Sequence, residues 1–235
     1  MGYPRQLYLD VKLDEAVCLD NFISCSSTHL TLKALNNFLE DGAMITSLFL
    51  WGLSGTGKHY LLEAVNRGCI DALKKTGFIS FSKPIIDPLE ATQGFDFLDV
   101  IFIQDLHLMP QTKDWERAIF NLINTSLLNG IKMFISSGKV VMDLEIELPD
   151  LRSRLLAFTA VEIPEISDNE KASALSEFSE RKGLSIDERT IDYILTHTSR
   201  SLTDLMNLIT ELDGFSLEKK RNLTIPLVRE LLLNK

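Results

Sequence analysis

The sequence predicts an α/β protein, a parallel β-sheet covered by helices and followed by a small all-helical unit. Three observations predict it. Between Ser47 and Ile163 short apolar runs alternate with segments of helix length. A glycine-rich turn joins the first run to the helix pattern that follows it. Beyond Pro164 the strand-like runs stop, and only helix patterns with their capping signals remain.

The runs are "SLFLW", "GFISF", "DVIFI", "KMFIS" and "AVEI", apolar on consecutive positions as buried strands of a parallel sheet are. In the helical part, Ser167 with Glu170 and Ser185 with Glu188 have capping-box spacing, and Ser201 with Asp204 has its Asp variant. Pro226 suits the first turn of a last helix with apolar Leu227, Val228, Leu231 and Leu232. The expected organisation is an exposed tail over residues 1–12, an α/β domain over 13–164 and a helical domain over 165–235.

With 235 residues, 45% of them hydrophobic, the chain can bury a sizeable core. Three cysteines, Cys18, Cys25 and Cys69, in no metal or redox spacing read as reduced thiols that serve as small apolar fillers. No apolar run approaches a membrane span, and "MGYPRQLYLD" lacks a basic segment followed by an apolar core, so the expected location is cytoplasmic, with no membrane partner. The net charge of −9 is a poor balance for neutralising DNA phosphates, so contact with DNA is expected only through a partner.

The chemistry concentrates in "WGLSGTGKHYLLEA", where Gly52, Gly57 and Lys58 fit the phosphate-loop pattern GxxxxGK[ST]. A strand precedes it and the helix pattern "YLLEAVNRGCIDALKK" follows. In such a loop the backbone N–H groups of Ser54, Gly55, Thr56 and Gly57 face phosphate oxygens, the helix N-terminus adds its dipole, and Lys58 reaches the β-phosphate. The position that usually supplies a hydroxyl to Mg²⁺ carries His59, a nitrogen donor on a bulkier ring. The strand "DVIFI" runs into Gln104 and Asp105, where an acid organises the metal. Gln104 has no charge to offer, while Asp105 could orient a water or serve as a turn residue. The reading is a nucleotide site in which Mg²⁺ is in doubt and hydrolysis is weak, with no metal ligands assigned.

At this point the sequence resembles the AAA+ proteins related to the bacterial replication initiator DnaA. The resembling stretches are "LDNFISCSSTHLTLKAL", "SLFLWGLSGTGKHYLLEAV", "LDVIFIQDLHLM", "WERAIFNLINTSLLNGIKMFISS" and "LPDLRSRLL". The resemblance implies an AAA+ P-loop NTPase fold in which 13–164 is the nucleotide-binding base and 165–235 the lid. Initiators continue into a DNA-binding domain after the lid, whereas this sequence stops after "RNLTIPLVRELLLNK", which suggests a regulatory branch of the family.

Members of that branch bind the DNA-loaded sliding clamp through a short N-terminal peptide and stimulate DnaA to hydrolyse its ATP. The resemblance places that peptide on Gln6, Leu7, Tyr8 and Leu9, and the arginine finger acting in trans on Arg154. Arg152 is expected to be an ordinary solvated or salt-bridged side chain. Leu19 and Phe22, in the segment "LDNF", together with Tyr60, are implied near the nucleotide, with ADP the favoured ligand. The usual polar γ-phosphate sensor falls in Ser136, Ser137 and Gly138, where only a serine could serve. The usual lid arginine is replaced by Thr203, with Arg200 one helical turn away. A homodimer through the face bearing Arg154 is also left open. The alternative is an AAA+ ATPase acting as a helicase loader or shortened initiator, which would require Mg²⁺ to tolerate His59 and Gln104 together.

Overall fold

The computed structural model describes residues 17–22, 25–83, 87–198 and 201–233, without the side chains of Leu202 and Thr203. Five strands form one parallel sheet: β1 (Ser47–Trp51), β2 (Thr76–Ser80), β3 (Val100–Gln104), β4 (Lys132–Ser137) and β5 (Thr159–Glu162). Their spatial order is β2-β3-β4-β1-β5, with Phe49 of β1 opposite Ile135 of β4 and Ala160 of β5. The five expected runs are these strands to within a residue or so at each end.

A parallel sheet must be covered on both faces, and alternate residues of each strand enter different cores. Phe49, Ile101, Ile103 and Ile135 pack under α4 (Lys113–Asn129) and α5 (Pro149–Leu156), against Trp115, Ile119, Ile123, Leu151 and Leu155. Leu48, Leu50, Phe102 and Phe134 pack on the opposite face under α1 (His29–Leu39) and α2 (Lys58–Asp71), against Leu35, Phe38, Leu61, Leu62 and Val65. A short helix, α3 (Pro88–Thr92), precedes β3.

The helical unit comprises α6 (Asp168–Arg181), α7 (Glu188–His197), α8 (Leu202–Lys219) and α9 (Ile225–Leu233). Leu175, Phe178, Ile191, Ile194, Ile209, Leu212, Leu227 and Val228 form a core of their own. Ser167 and Glu170 make the expected capping box, and Ser201 caps α8 by accepting from Asp204 N–H. Ser185 does not cap α7. That helix starts at Glu188, and Asp187 is its N-cap, accepting from Thr190 N–H at 2.8 Å. The helix after the glycine loop also starts earlier than its apolar pattern, at Lys58, and ends at Asp71, before Leu73 turns left-handed with φ 58.

The N-terminal segment ties the two units together. Ser27 and Ser26 Oγ donate to Glu170 of α6 at 2.5 and 3.3 Å, and the Arg181 guanidinium donates to Asp20 O at 3.0 Å. The bonds from Ser27, from the Ser167 backbone and side chain, and from Ser26 hold the Glu170 carboxyl far below the usual carboxylate range, at about 2. No helix among the described residues is long and apolar enough to cross a membrane.

Candidate functional site

The turn from β1 into α2 is shaped by glycine. Gly55 and Gly57 are left-handed, with φ 82 and 97, and a Cβ on Gly52 would lie 2.5 Å from Ile163 O. A Cβ on Gly57 would meet the Phe22 ring at 2.8 Å, so the aromatic edge lies against the loop. Lys58 Nζ turns back into the loop, donating to Gly52 O at 2.7 Å and Leu53 O at 2.5 Å. Burial lowers the Lys58 pKa, and the nearby Asp105 carboxylate partly opposes that.

Asp105 follows β3 in a left-handed conformation, φ 57, and its N–H donates to Ser136 Oγ at 3.1 Å. Beside it the two departures from the phosphate-loop pattern meet. Gln104 Nε2 is 2.8 Å from His59 Nδ1 and donates to Asp105 Oδ2 at 3.2 Å, while Ser80 Oγ donates to Gln104 Oε1 at 3.1 Å. The carboxylate fixes the amide orientation, so His59 Nδ1 accepts and Nε2 carries the proton, 3.9 Å from Glu63 Oε2. Mg²⁺ prefers charged and neutral oxygen ligands in octahedral array, and these groups do not fit it. Among the described residues, no cluster of three or more His, Cys, Asp or Glu could hold a metal ion.

A cleft of about 340 Å³, in the size range of small-molecule sites, opens between the loop and the helical unit. Phe22, Ser54, Gly55 and Thr56 line one wall, and Ile166, Lys171 and Asp204 face them. Leu19 and Tyr60, also expected near the nucleotide, pack in the same core cluster as Phe22 and do not line the cleft. The Tyr60 and Phe22 rings are 5.8 Å apart, and Tyr60 Oη donates to Cys18 O at 3.1 Å. A larger cleft of about 470 Å³ lies between α3 and α4, lined by Asp87, Leu89 and Arg117 and by no residue of the glycine loop. The smaller one is the nucleotide candidate because the loop backbone borders it.

Lys171 was not singled out from the sequence. Its side chain is only 8% exposed and its Nζ is 3.5 Å from Asp168 Oδ1, which puts a cation into the cleft from the lid side. A signal existed: Lys171 is in helical register with Ala174, Leu175 and Phe178, on the face that a helix buries.

The two arginines of α5 differ sharply. Arg152 was expected to be solvated or salt-bridged; instead it donates to the carbonyls of Val141, Met142, Leu144 and Ile146, at 3.3, 3.3, 3.2 and 2.8 Å. Arg154 is exposed, and its guanidinium has no hydrogen-bond or ion-pair partner among the described residues. The buried Glu116 carboxylate accepts from Glu147 N–H at 2.8 Å and Leu148 N–H at 2.7 Å, just ahead of α5. At the β4 end, Ser136 Oγ is engaged with Asp105, Ser137 Oγ donates to Lys139 O at 2.7 Å, and Gly138 N–H donates to His107 Nδ1 at 2.8 Å. Burial lowers the His107 pKa, consistent with a neutral ring accepting that bond. Gln6, Leu7, Tyr8, Leu9, Arg200 and the Thr203 side chain lie outside the described residues.

A five-stranded parallel sheet with a phosphate-type loop after its β1 strand, closed by a helical lid, defines a P-loop AAA+ module. The chain belongs to the family of bacterial DnaA ATPase domains, whose model matches residues 13–161, and the model described as "Hda, lid domain" matches residues 168–232. It is a DnaA-related AAA+ protein with an Hda-type lid. An uncharacterised protein of Haemophilus influenzae is 27% identical over 229 residues, covering 97% of this chain and 98% of its own. The fold is shared with domain III of the Thermotoga maritima replication initiation protein DnaA, at TM-score 0.75 and 16% identity over 93% of this chain and 96% of that one. It is shared too with AMPPCP-bound DnaA from Aquifex aeolicus, at TM-score 0.72 and 21% identity over 86% of this chain and 66% of that one.

Proposed function

We propose that this chain is a cytoplasmic regulator of replication initiation that holds a nucleotide, with ADP favoured, and acts on DnaA in trans. The observation that carries the proposal is the contrast within α5. Glu116 and Arg152 pin the helix and its approach, while Arg154 is presented to solvent with no hydrogen-bond or ion-pair partner among the described residues. An exposed guanidinium on a pinned helix is what a neighbouring active site needs to neutralise charge developing on phosphate oxygens. The chain's own site points the same way, since His59 and Gln104 bond to each other in place of the usual hydroxyl and acid.

In this reading Arg154 enters the ATP site of DnaA, Asp105 keeps at most a water-orienting role, and the base domain (13–164), the lid (165–235) and the cleft between them hold ADP. Gln6, Leu7 and Leu9 of the tail (1–12) anchor to the sliding clamp as an extended peptide with one amide and two apolar side chains, so DNA is reached only through the clamp. A nucleotide bound to the folded cleft stabilises it by mass action, so ADP raises the melting temperature. The tether is tested by capture on DNA-loaded clamp. Retention of this protein that is lost in Gln6→Ala supports it, and tight clamp-free DNA binding unaffected by that change refutes it.

A further inference from the structure

We infer that the cleft takes its nucleoside diphosphate as the metal-free anion, and that the hydrogen bond between His59 and Gln104 is what excludes the metal. The inference rests on the nucleotide-holding reading and specifies the ligand's form. At the positions where P-loop proteins offer a hydroxyl and a carboxylate, this chain offers groups whose polar atoms are already committed. The Gln104 side chain is buried, with Nε2 shared between His59 Nδ1 and Asp105 Oδ2 and Oε1 taken by Ser80 Oγ. The His59 Nδ1 lone pair is occupied by that contact, and its other nitrogen carries a proton directed to the Glu63 side.

A divalent cation placed here would meet the Asp105 carboxylate, already accepting from Gln104, beside an amide N–H and a ring N–H, both positive ends of dipoles, in place of the hydroxyl and first acid of a P-loop site. Reversing the amide to present Oε1 would set that oxygen against the Asp105 carboxylate at about the 3.2 Å now spanned by a hydrogen bond. The charge of the diphosphate instead falls to protein groups: the N–H groups at the start of α2, Lys58 once its Nζ leaves the Gly52 and Leu53 carbonyls, and Lys171 from the lid side of a cleft that Glu165 and Asp204 also line. Mg²⁺ complexes ADP in solution, so it competes with this site rather than assisting it.

The test is ADP affinity by titration calorimetry on the full chain, in EDTA and in millimolar Mg²⁺. The expected dissociation constant in EDTA is lower than in Mg²⁺ or within about threefold of it. Binding improved by Mg²⁺ beyond that margin overturns the inference and leaves nucleotide holding intact, whereas no binding under either condition overturns both. The double variant His59→Ser/Gln104→Asp supplies the missing oxygen ligands and should make Mg²⁺ tighten ADP by about tenfold or more. A folded double variant still indifferent to Mg²⁺ shows that the pair is not the excluding element. If that variant does not fold, the comparison on the parent chain decides alone.

Discussion

Arg152 and Arg154 sit two residues apart on one helix, and exchanging each for alanine should lower stability at the first position and leave it nearly unchanged at the second. The Arg152 guanidinium makes one short bond, to Ile146 O at 2.8 Å, and three long ones at 3.2 to 3.3 Å, of which that to Met142 O is solvent-exposed. A well-formed bond to a charged donor contributes about 1.5–3 kcal/mol and the long ones a few tenths each, so Arg152→Ala should cost about 2–3 kcal/mol. For a chain of this size that is a fall in Tm of about 4–12 °C. Arg154→Ala removes no hydrogen bond or ion pair among the described residues and should stay within about 0.5 kcal/mol of the parent. Differential scanning calorimetry reads both. Arg152→Lys should recover less than half of the loss, because an ammonium cannot reproduce the fork. A Tm for Arg152→Ala within 1 °C of the parent (about 0.3 kcal/mol) would refute the claim that these bonds pin the 141–146 segment to α5.

Other outcomes follow from the same contacts. The depressed Glu170 pKa, about 2, means that its ties to Ser26, Ser27 and Ser167 stabilise the fold fully above the ordinary carboxylate value and are lost as pH falls through the folded one. Amide protection factors around 25–28 and at the start of α6, taken relative to the intrinsic exchange rate at each pH, should therefore be unchanged from pH 7 to 5 and fall towards pH 2, whereas Glu170→Ala should show the lost protection at pH 7. Lys171→Met should weaken ADP binding by about tenfold, the value of one charged contact, with Lys171→Arg recovering part of it; unchanged affinity would remove Lys171 from the site. Glu116→Ala leaves the N–H groups of Glu147 and Leu148 without their carboxylate, so it should lower Tm and the stimulated hydrolysis rate while leaving ADP affinity within about twofold.

The fold was largely legible because the strands of a parallel sheet are apolar on both faces and stand out as runs such as "SLFLW" and "DVIFI". Helix ends were less so. Ser185 has the spacing of a cap, but Asp187 lies closer to where the chain turns helical, and only the backbone path decides between two good acceptors. The glycine loop carries its function in local sequence, since left-handed φ at Gly55 and Gly57 demands that residue type.

What was not legible depends on contacts between distant positions. His59 and Gln104 each read as a defect, and nothing in their order along the chain shows that they bond to each other across 45 positions. Arg152 looked like a surface charge because its partners are backbone carbonyls, which leave no trace in side-chain patterns. Lys171 was hidden by the assumption that the lid's contribution lay at the start of α8, although its place in the apolar register of α6 marked it as buried.

Whether this chain supplies Arg154 to the ATP site of DnaA is decided by single-turnover hydrolysis of ATP bound to DnaA. The reaction is run with this protein, with and without DNA-loaded clamp, and with Arg154→Ala in parallel. Acceleration is expected only when clamp is present, with a loss of about 10³-fold or more of it in the variant. Acceleration that survives Arg154→Ala, or none at all from a protein that hydrolyses ATP by itself, would contradict that role.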